Sequence, residues 1–180
     1  MNALVNVDAA ATLAGVRADV AQYLTFRLGN ETFALDILHI REIIEFGQLT
    51  EVPMMPTFIR GVINLRGRVV PVVDLGARFG RGQTVAGRRS SIVILEIRQV
   101  TDADAENFAL QEIGIMVDAV NEVIDIRADA IEPPPSFGVQ LRPEFINGMA
   151  RRDNGFIILL DVSRVLSIGE MSSLSAAYAA

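Results

Sequence analysis

The residues that could do chemistry in this chain are few, and their spacing argues against most of it. There is one histidine, His39, and no cysteine. Disulfides, thiolate metal sites and cysteine nucleophiles are thereby excluded. His39 sits between Leu38 and Ile40 with no nucleophile elbow to pair with. It reads as a surface or hydrogen-bonded residue rather than a catalyst or ligand. Two aspartates recur in matching contexts: Asp74 after Val69 to Val73, and Asp161 after Phe156 to Leu160, each ahead of a helix-like segment. A carboxylate placed there accepts a backbone N–H, so both are expected to be turn or cap residues and not an acid–base pair. Gly80-Arg81-Gly82 is neither a phosphate loop nor a dinucleotide fingerprint. Met54-Met55 could line an adaptable surface, although packing in core or loop is the commoner role. The expectation is no catalytic residue, no metal and no cofactor.

Charge gives the next constraint. All 16 basic residues are arginine, against 22 acidic ones, for a net charge of −6. That balance does not suit a nucleic-acid protein. One stretch is locally basic: Arg60, Arg66, Arg68, Arg78, Arg81, Arg88 and Arg89 lie between Pro53 and Ser91 with Asp74 as the sole acid. It lacks interleaved aromatics and a glycine-rich loop leading into a helix. A solvated or partner-facing basic face is the favoured reading, and a small anion-binding module the alternative. Hydrophobic residues make up 51% and charged residues 21%, as in a globular protein. No apolar run is long enough to cross a bilayer, and the first twenty residues lack the basic start of a secretory signal.

The elements that would position these residues are mostly strands. Leu24, Phe26 and Leu28 alternate with polar neighbours, and Gly29-Asn30 is a two-residue type II′ turn leading to Thr32–Leu35. A turn at Asp36–Leu38 and a strand to Glu45 follow. Val62–Leu65, Arg66-Gly67 and Arg68–Val73 form a second hairpin, with Pro71 at an edge or bulge. Ile92–Ile97, Phe108–Val117 and Ala119–Ile126 are further strands, with a polar loop at 98–107. Gly148–Arg152 and Phe156–Leu160 make a hairpin across Asp153-Asn154-Gly155, with a strong Asn-Gly turn signal, and a terminal helix starts at Val162. Residues 1–20 read as an arm and 168–180 as a tail.

The two halves resemble each other. Ile37, Ile40, Glu42, Ile43 and Ile44 match Val117, Val120, Glu122, Val123 and Ile124 eighty residues on. Phe58-Ile59-Arg60-Gly61 matches Phe145-Ile146-Asn147-Gly148, and Val69–Asp74 matches Phe156–Asp161, both eighty-seven residues on. One copy has too few strands to bury a core, whereas two packed together do. The expected fold is mainly β: two five-stranded β-barrel subdomains related by an internal repeat, with short helices including a C-terminal one. Subdomain boundaries fall at about 21–89 and 90–167, with strand exchange between them allowed. The apolar seam between the barrels is a natural groove for a partner.

Phe33 to Ile43, Pro56 to Gly67 and Val70-Pro71-Val72-Val73-Asp74-Leu75, with Ile131–Pro134 and Leu159-Leu160-Asp161, resemble the CheW family of bacterial chemotaxis adaptors. The likeness spans about Tyr23–Ser167. It implies a cytoplasmic, non-enzymatic scaffold recruited to receptor arrays at the inner membrane, without inserting in it. The implied partners are the regulatory domain of the histidine kinase CheA and the cytoplasmic tips of chemoreceptors. Ile40 and Glu42 match the family's partner-contact positions, and a regular strand would turn both to one side. Arg66 matches the arginine of the Asn-Leu-Arg-Gly turn, where it could hold a turn carbonyl or a partner carboxylate. Ile37, Val120 and Val123 would lie near the groove. Gly61, Gly67 and Gly148 are expected to be structural turn residues beside the capping aspartates. An adaptor of another chemosensory-type pathway, such as one controlling pili, would look the same.

Overall fold

The structure, a computed structural model, describes residues 19–100, 108–134, 141–153 and 155–166. The expected N-terminal arm, apart from its last two residues, and the C-terminal tail lie outside these residues, as do 101–107 and Asn154. The chain runs β1 (Val20–Leu28), β2 (Glu31–Asp36), a 3-10 turn at Ile37–His39, β3 (Ile40–Glu45), β4 (Ile59–Leu65), β5 (Arg68–Asp74) and helix α1 (Leu75–Arg78). It continues with β6 (Ser91–Val100), β7 (Phe108–Val117), β8 (Ala119–Arg127), β9 (Ile131–Glu132), β10 (Ile146–Arg152), β11 (Gly155–Leu160) and helix α2 (Val162–Val165).

These strands form two sheets, ordered β8-β1-β2-β11-β10-β9 and β3-β6-β7-β5-β4. The first has six strands rather than five because the two-residue β9 pairs with Met149 and Ala150. Each sheet draws strands from both halves of the sequence. Hairpin β1–β2 sits among second-half strands, and hairpin β6–β7 sits among first-half strands. The repeat in the residues is also a repeat in pairing. β5 runs parallel to β7 with Val72 opposite Gly114, and β11 runs parallel to β2 with Leu159 opposite Ala34. Val72 and Leu159 are equivalent, as are Ala34 and Gly114, so one two-fold relation carries one sheet onto the other.

Local chemistry explains the turns. Gly29 has φ 60 and Leu28 pairs with Glu31, as a two-residue hairpin requires. Arg66 and Gly67 both have positive φ, 54 and 85, and the Asn64 side chain accepts a hydrogen bond from Gly67 N at 2.9 Å. In the matching second-half hairpin Arg152 pairs with Gly155, and Asp153 has φ 52. Gly155 thus belongs to the ladder, and the Asn154 of the expected Asn-Gly turn lies outside the described residues. Pro71 needs a different account from the one expected, since β5 is flanked on both sides. Its pairing with β7 covers Val72, Val73 and Asp74, so the missing N–H falls just before that ladder. Arg98–Val100 extends β6 instead of opening a loop.

Among the described residues three apolar clusters result. The seam between the sheets is solid: Phe26, Phe33 and Leu35 meet Val93, Leu95, Ile113 and Ile115 in one buried core shared by both. A smaller cluster with Ala34, Ile157 and Leu159 lies on the far face of the six-stranded sheet. Its counterpart with Val72, Ile94 and Met116 lies on the far face of the other sheet.

Candidate partner-binding surface

Edge strands β3 and β8 occupy equivalent positions in the two sheets and carry most of the expected contact residues. Both are bulged at the same repeat position. Ile40 pairs with Leu95 and Glu42 with Ile94, leaving Arg41 as the extra residue. On β8 the irregularity falls opposite Leu24 to Phe26, between Val123 and Val120. A bulge re-aims the side chains that follow it. Ile40 accordingly packs on the shared core with Leu95, while Glu42 takes the side of Ile94, whose cluster also holds Ile44. The one-sided placement of Ile40 and Glu42 expected from a regular strand is thus corrected.

Beyond the bulge, Ile43 pairs with Val93 and Val123 with Leu24, both members of the shared core. Ile43 is nevertheless 44% exposed and Val123 52%. Ile37, Ile40 and Val120 are half-buried against the same core. The apolar rim of the shared core thus draws on Ile37 in the turn before β3, Ile40 and Ile43 on β3, and Val120 and Val123 on β8. Ile43 is the repeat partner of Val123 and shares its exposure, but the sequence reading singled out only Val123.

Glu42 and Arg66 meet each other. An Arg66 guanidinium nitrogen lies 3.3 Å from a Glu42 carboxylate oxygen, with the arginine 75% and the glutamate 27% exposed. Glu42 stands on one edge strand of its sheet and Arg66 on the hairpin leading from the opposite edge, so the pair spans a curled sheet. The second sheet repeats the device: Arg152 donates to Glu122 at 2.8 Å. Arg66 holds its left-handed φ at a cost of roughly 1–2 kcal/mol for a residue with a Cβ. An exposed pair returns less than that, typically below about 1 kcal/mol.

The arginine-rich stretch is not a bare basic face. Arg60 pairs with Asp74, Arg68 with Glu112 and Arg81 with Glu31. Arg78 donates to the Val165 carbonyl at 2.8 Å and lies over the rings of Phe58 and Phe145. This neutralisation removes much of the attraction expected for a polyanion.

The aspartates act in the backbone. Asp74 accepts from Ala77 N at 3.2 Å at the start of α1, and Asp161 accepts from Arg164 N at 3.2 Å at the start of α2. Asp74 is fully buried and also accepts from Thr84 N and Thr84 Oγ1, at 2.7 and 2.6 Å. Gly61 and Gly148 sit at matching bulges where the chain passes close by. A Cβ on Gly61 would lie 2.5 Å from the Thr50 carbonyl oxygen, and one on Gly148 would strike Ile131. Away from the rim, burial raises the Tyr23 phenol above its ordinary range, and the Asp36 carboxylate adds to the rise.

The class defined by this fold is a mainly β module of two pseudo-symmetric sheets around one shared core. Residues 22–170 match the CheW-like domain, and the chain belongs to that family. It is 36% identical over 151 residues to the chemotaxis protein CheW of Klebsiella aerogenes, covering 84% of each chain. Protein PilI of Pseudomonas aeruginosa is 26% identical over 134 residues, covering 74% of this chain and 68% of that one. The crystal structure of the scaffolding protein TtCheW from Thermoanaerobacter tengcongensis superposes with a TM-score of 0.67 at 37% identity, covering 79% of this chain and 84% of that one. Among the described residues no helix is long and apolar enough to cross a membrane.

Proposed function

We propose that this chain is a non-catalytic cytoplasmic adaptor that couples methyl-accepting chemoreceptors to the histidine kinase CheA at inner-membrane arrays. What carries the reading is the agreement of sequence and fold, over nearly all described residues, with proteins named for chemotaxis and scaffolding. The apolar rim of Ile37, Ile40, Ile43, Val120 and Val123 suits an amphipathic receptor helix, which buries alternate apolar turns in a groove. The hairpin bearing Arg66, with Glu42 beside it, suits the kinase regulatory domain. Signal passes by shifting populations of kinase states, with no chemistry on this chain.

The test is co-sedimentation with receptor-bearing membranes and kinase. Wild type is compared with Ile43→Asp, Glu42→Lys and Arg66→Ala, each checked for an unchanged fold. Selective loss of receptor for Ile43→Asp and of kinase for the charge variants is the expected result. Full assembly by all three would remove the assignment. The PilI relative supports a second reading, an adaptor for a pathway controlling another form of motility. Preference for that system's receptor and kinase in the same assay would select it.

A further inference from the structure

The two curled sheets end in equivalent mouths, and their side chains fill them differently. In the five-stranded sheet Leu65, Val70 and Ile94 pack in one apolar cluster, and the Arg68 guanidinium pairs with the Glu112 carboxylate. The equivalent residues of the six-stranded sheet are, in turn, Arg152, Ile157, Thr25, Gly155 and Thr32, and they line an open cleft of about 230 Å³. The match of Thr25 to Ile94 follows from pairing, since Thr25 faces Ala34 as Ile94 faces Gly114. Gly155 removes an arginine side chain and Thr32 shortens a glutamate. The cleft is therefore the space that an ion pair fills in the other half. Its floor is satisfied: Thr25 is buried, and its hydroxyl donates to the Glu122 carbonyl at 2.9 Å and accepts from Glu122 N at 3.2 Å. Those bonds hold β8 at its bulge, with the Glu122 side chain at the cleft wall.

The charge reverses as well. Arg41, Arg66 and Arg68 outweigh Glu42 and Glu112 at the filled mouth. Asn121, Asp153 and Gly155 replace those arginines at the open one, where Glu122 keeps the position of Glu42. Arg152 pairs with Glu122 at 2.8 Å, which leaves Asp153 as the charge in excess. Asp153 holds φ 52 at its turn, as Arg66 holds φ 54.

We propose that the open cleft binds a small free guanidinium compound, whose head takes the place that the Arg68 side chain fills in the other half. A guanidinium is planar and meets carboxylates through paired hydrogen bonds, here to Glu122 and Asp153. The Thr32 hydroxyl and the Asn121 side chain line the same cleft and accept its remaining N–H groups. At the rim the half-exposed Phe156 ring offers a face to a cation. The volume equals that of about eight water molecules, enough for the head and a short alkyl chain.

The test titrates n-butylguanidinium into the full-length protein and follows backbone amide chemical shifts. Saturable shifts are expected at Thr32, Asn121, Glu122, Asp153 and Gly155, with a dissociation constant on the order of 1 mM for so few atoms. Gly155→Arg with Thr32→Glu rebuilds the ion pair of the other half and should weaken binding at least roughly tenfold. A Cβ on Gly155 meets nothing within 4 Å, so the backbone accepts the change. Asp153→Asn keeps a residue suited to the left-handed turn and should also weaken binding roughly tenfold, which serves if the double variant folds poorly. n-Butylammonium, without the planar fork, should bind severalfold more weakly, and butyrate should shift none of these amides. No saturable shift, an equal response to butyrate, or full binding by both variants would overturn the proposal. So would displacement of n-butylguanidinium by the receptor or the kinase, which would place a partner's arginine in the cleft instead of a free compound.

Discussion

At the scale of single residues, Glu42 and Arg66 separate stability from binding. Arg66 is mostly exposed, so solvent screening limits what its pair with Glu42 gives the fold to below about 1 kcal/mol. Glu42→Lys and Arg66→Glu alone should each lower stability by no more than that in urea titration. The double variant should regain it, because the attraction is restored with its sign reversed. Partner binding should not recover, and each variant including the double should bind kinase at least roughly tenfold more weakly, since reversed rim charges meet an unchanged partner. Recovery of binding in the double variant would show that the pair only shapes the hairpin. Glycines give a second ranking. Gly61→Ala drives a Cβ onto the Thr50 carbonyl, a backbone clash costing about 1–3 kcal/mol. Gly67→Ala meets nothing within 4 Å and bears only the left-handed penalty of about 1 kcal/mol. Thermal midpoints should fall further for Gly61→Ala than for Gly67→Ala.

At the scale of elements, the repeat-equivalent caps should not be equal. Asp161→Ala removes one N-cap bond from a four-residue helix, worth about 1 kcal/mol. Asp74→Ala removes a cap, leaves both Thr84 donors without their acceptor and strands Arg60, which should cost roughly 3 kcal/mol or more. Denaturant midpoints for the two variants measure the difference directly, and near-equal losses would deny Asp74 its role in anchoring the segment after α1. The caps themselves were legible in the sequence because a strand ending in aspartate before a helix-like segment is a local pattern. The extra bonds to Asp74 were not, because they come from a residue ten positions on whose return path depends on the whole sheet. The same divide runs through the strands. Alternation at Leu24, Phe26 and Leu28 located β1, yet period two alone gave no sign of the bulge at Arg41, which is set by the neighbouring β6. The basic stretch misled for a like reason, since Glu31, Glu42 and Glu112 arrive from outside it.

At the scale of the molecule, the exchange of hairpins makes the halves units of repetition but not of folding. Hairpin β6–β7 is the centre of its sheet, between β3 on one side and the β5–β4 hairpin on the other. A fragment holding only the first half keeps β3, β4 and β5 but nothing to join β3 to the others through a ladder. The second half alone likewise loses β1–β2 from between β8 and β11. The shared core is then split as well, because Phe26, Phe33 and Leu35 come from one half and Val93, Leu95, Ile113 and Ile115 from the other. Arg78 marks the axis: it lies 5.0 and 5.1 Å from the rings of Phe58 and Phe145, which are repeat equivalents, and bonds Val165, its own equivalent. Two such ring contacts and a charged bond to a carbonyl are worth roughly 2–3 kcal/mol. Arg78→Ala should therefore lower the melting midpoint by about 4–12 °C for a chain of this size while leaving one transition. Cutting the chain between Val85 and Arg88 tests the exchange itself. Each fragment alone should show rapid amide exchange throughout, and mixing them should restore slow exchange in β6, β7, β1 and β2 together, because each hairpin completes the other fragment's sheet. A fragment that protected its own strands without the other would mean that the halves fold separately, and the interleaved sheets could not then be the source of cooperativity.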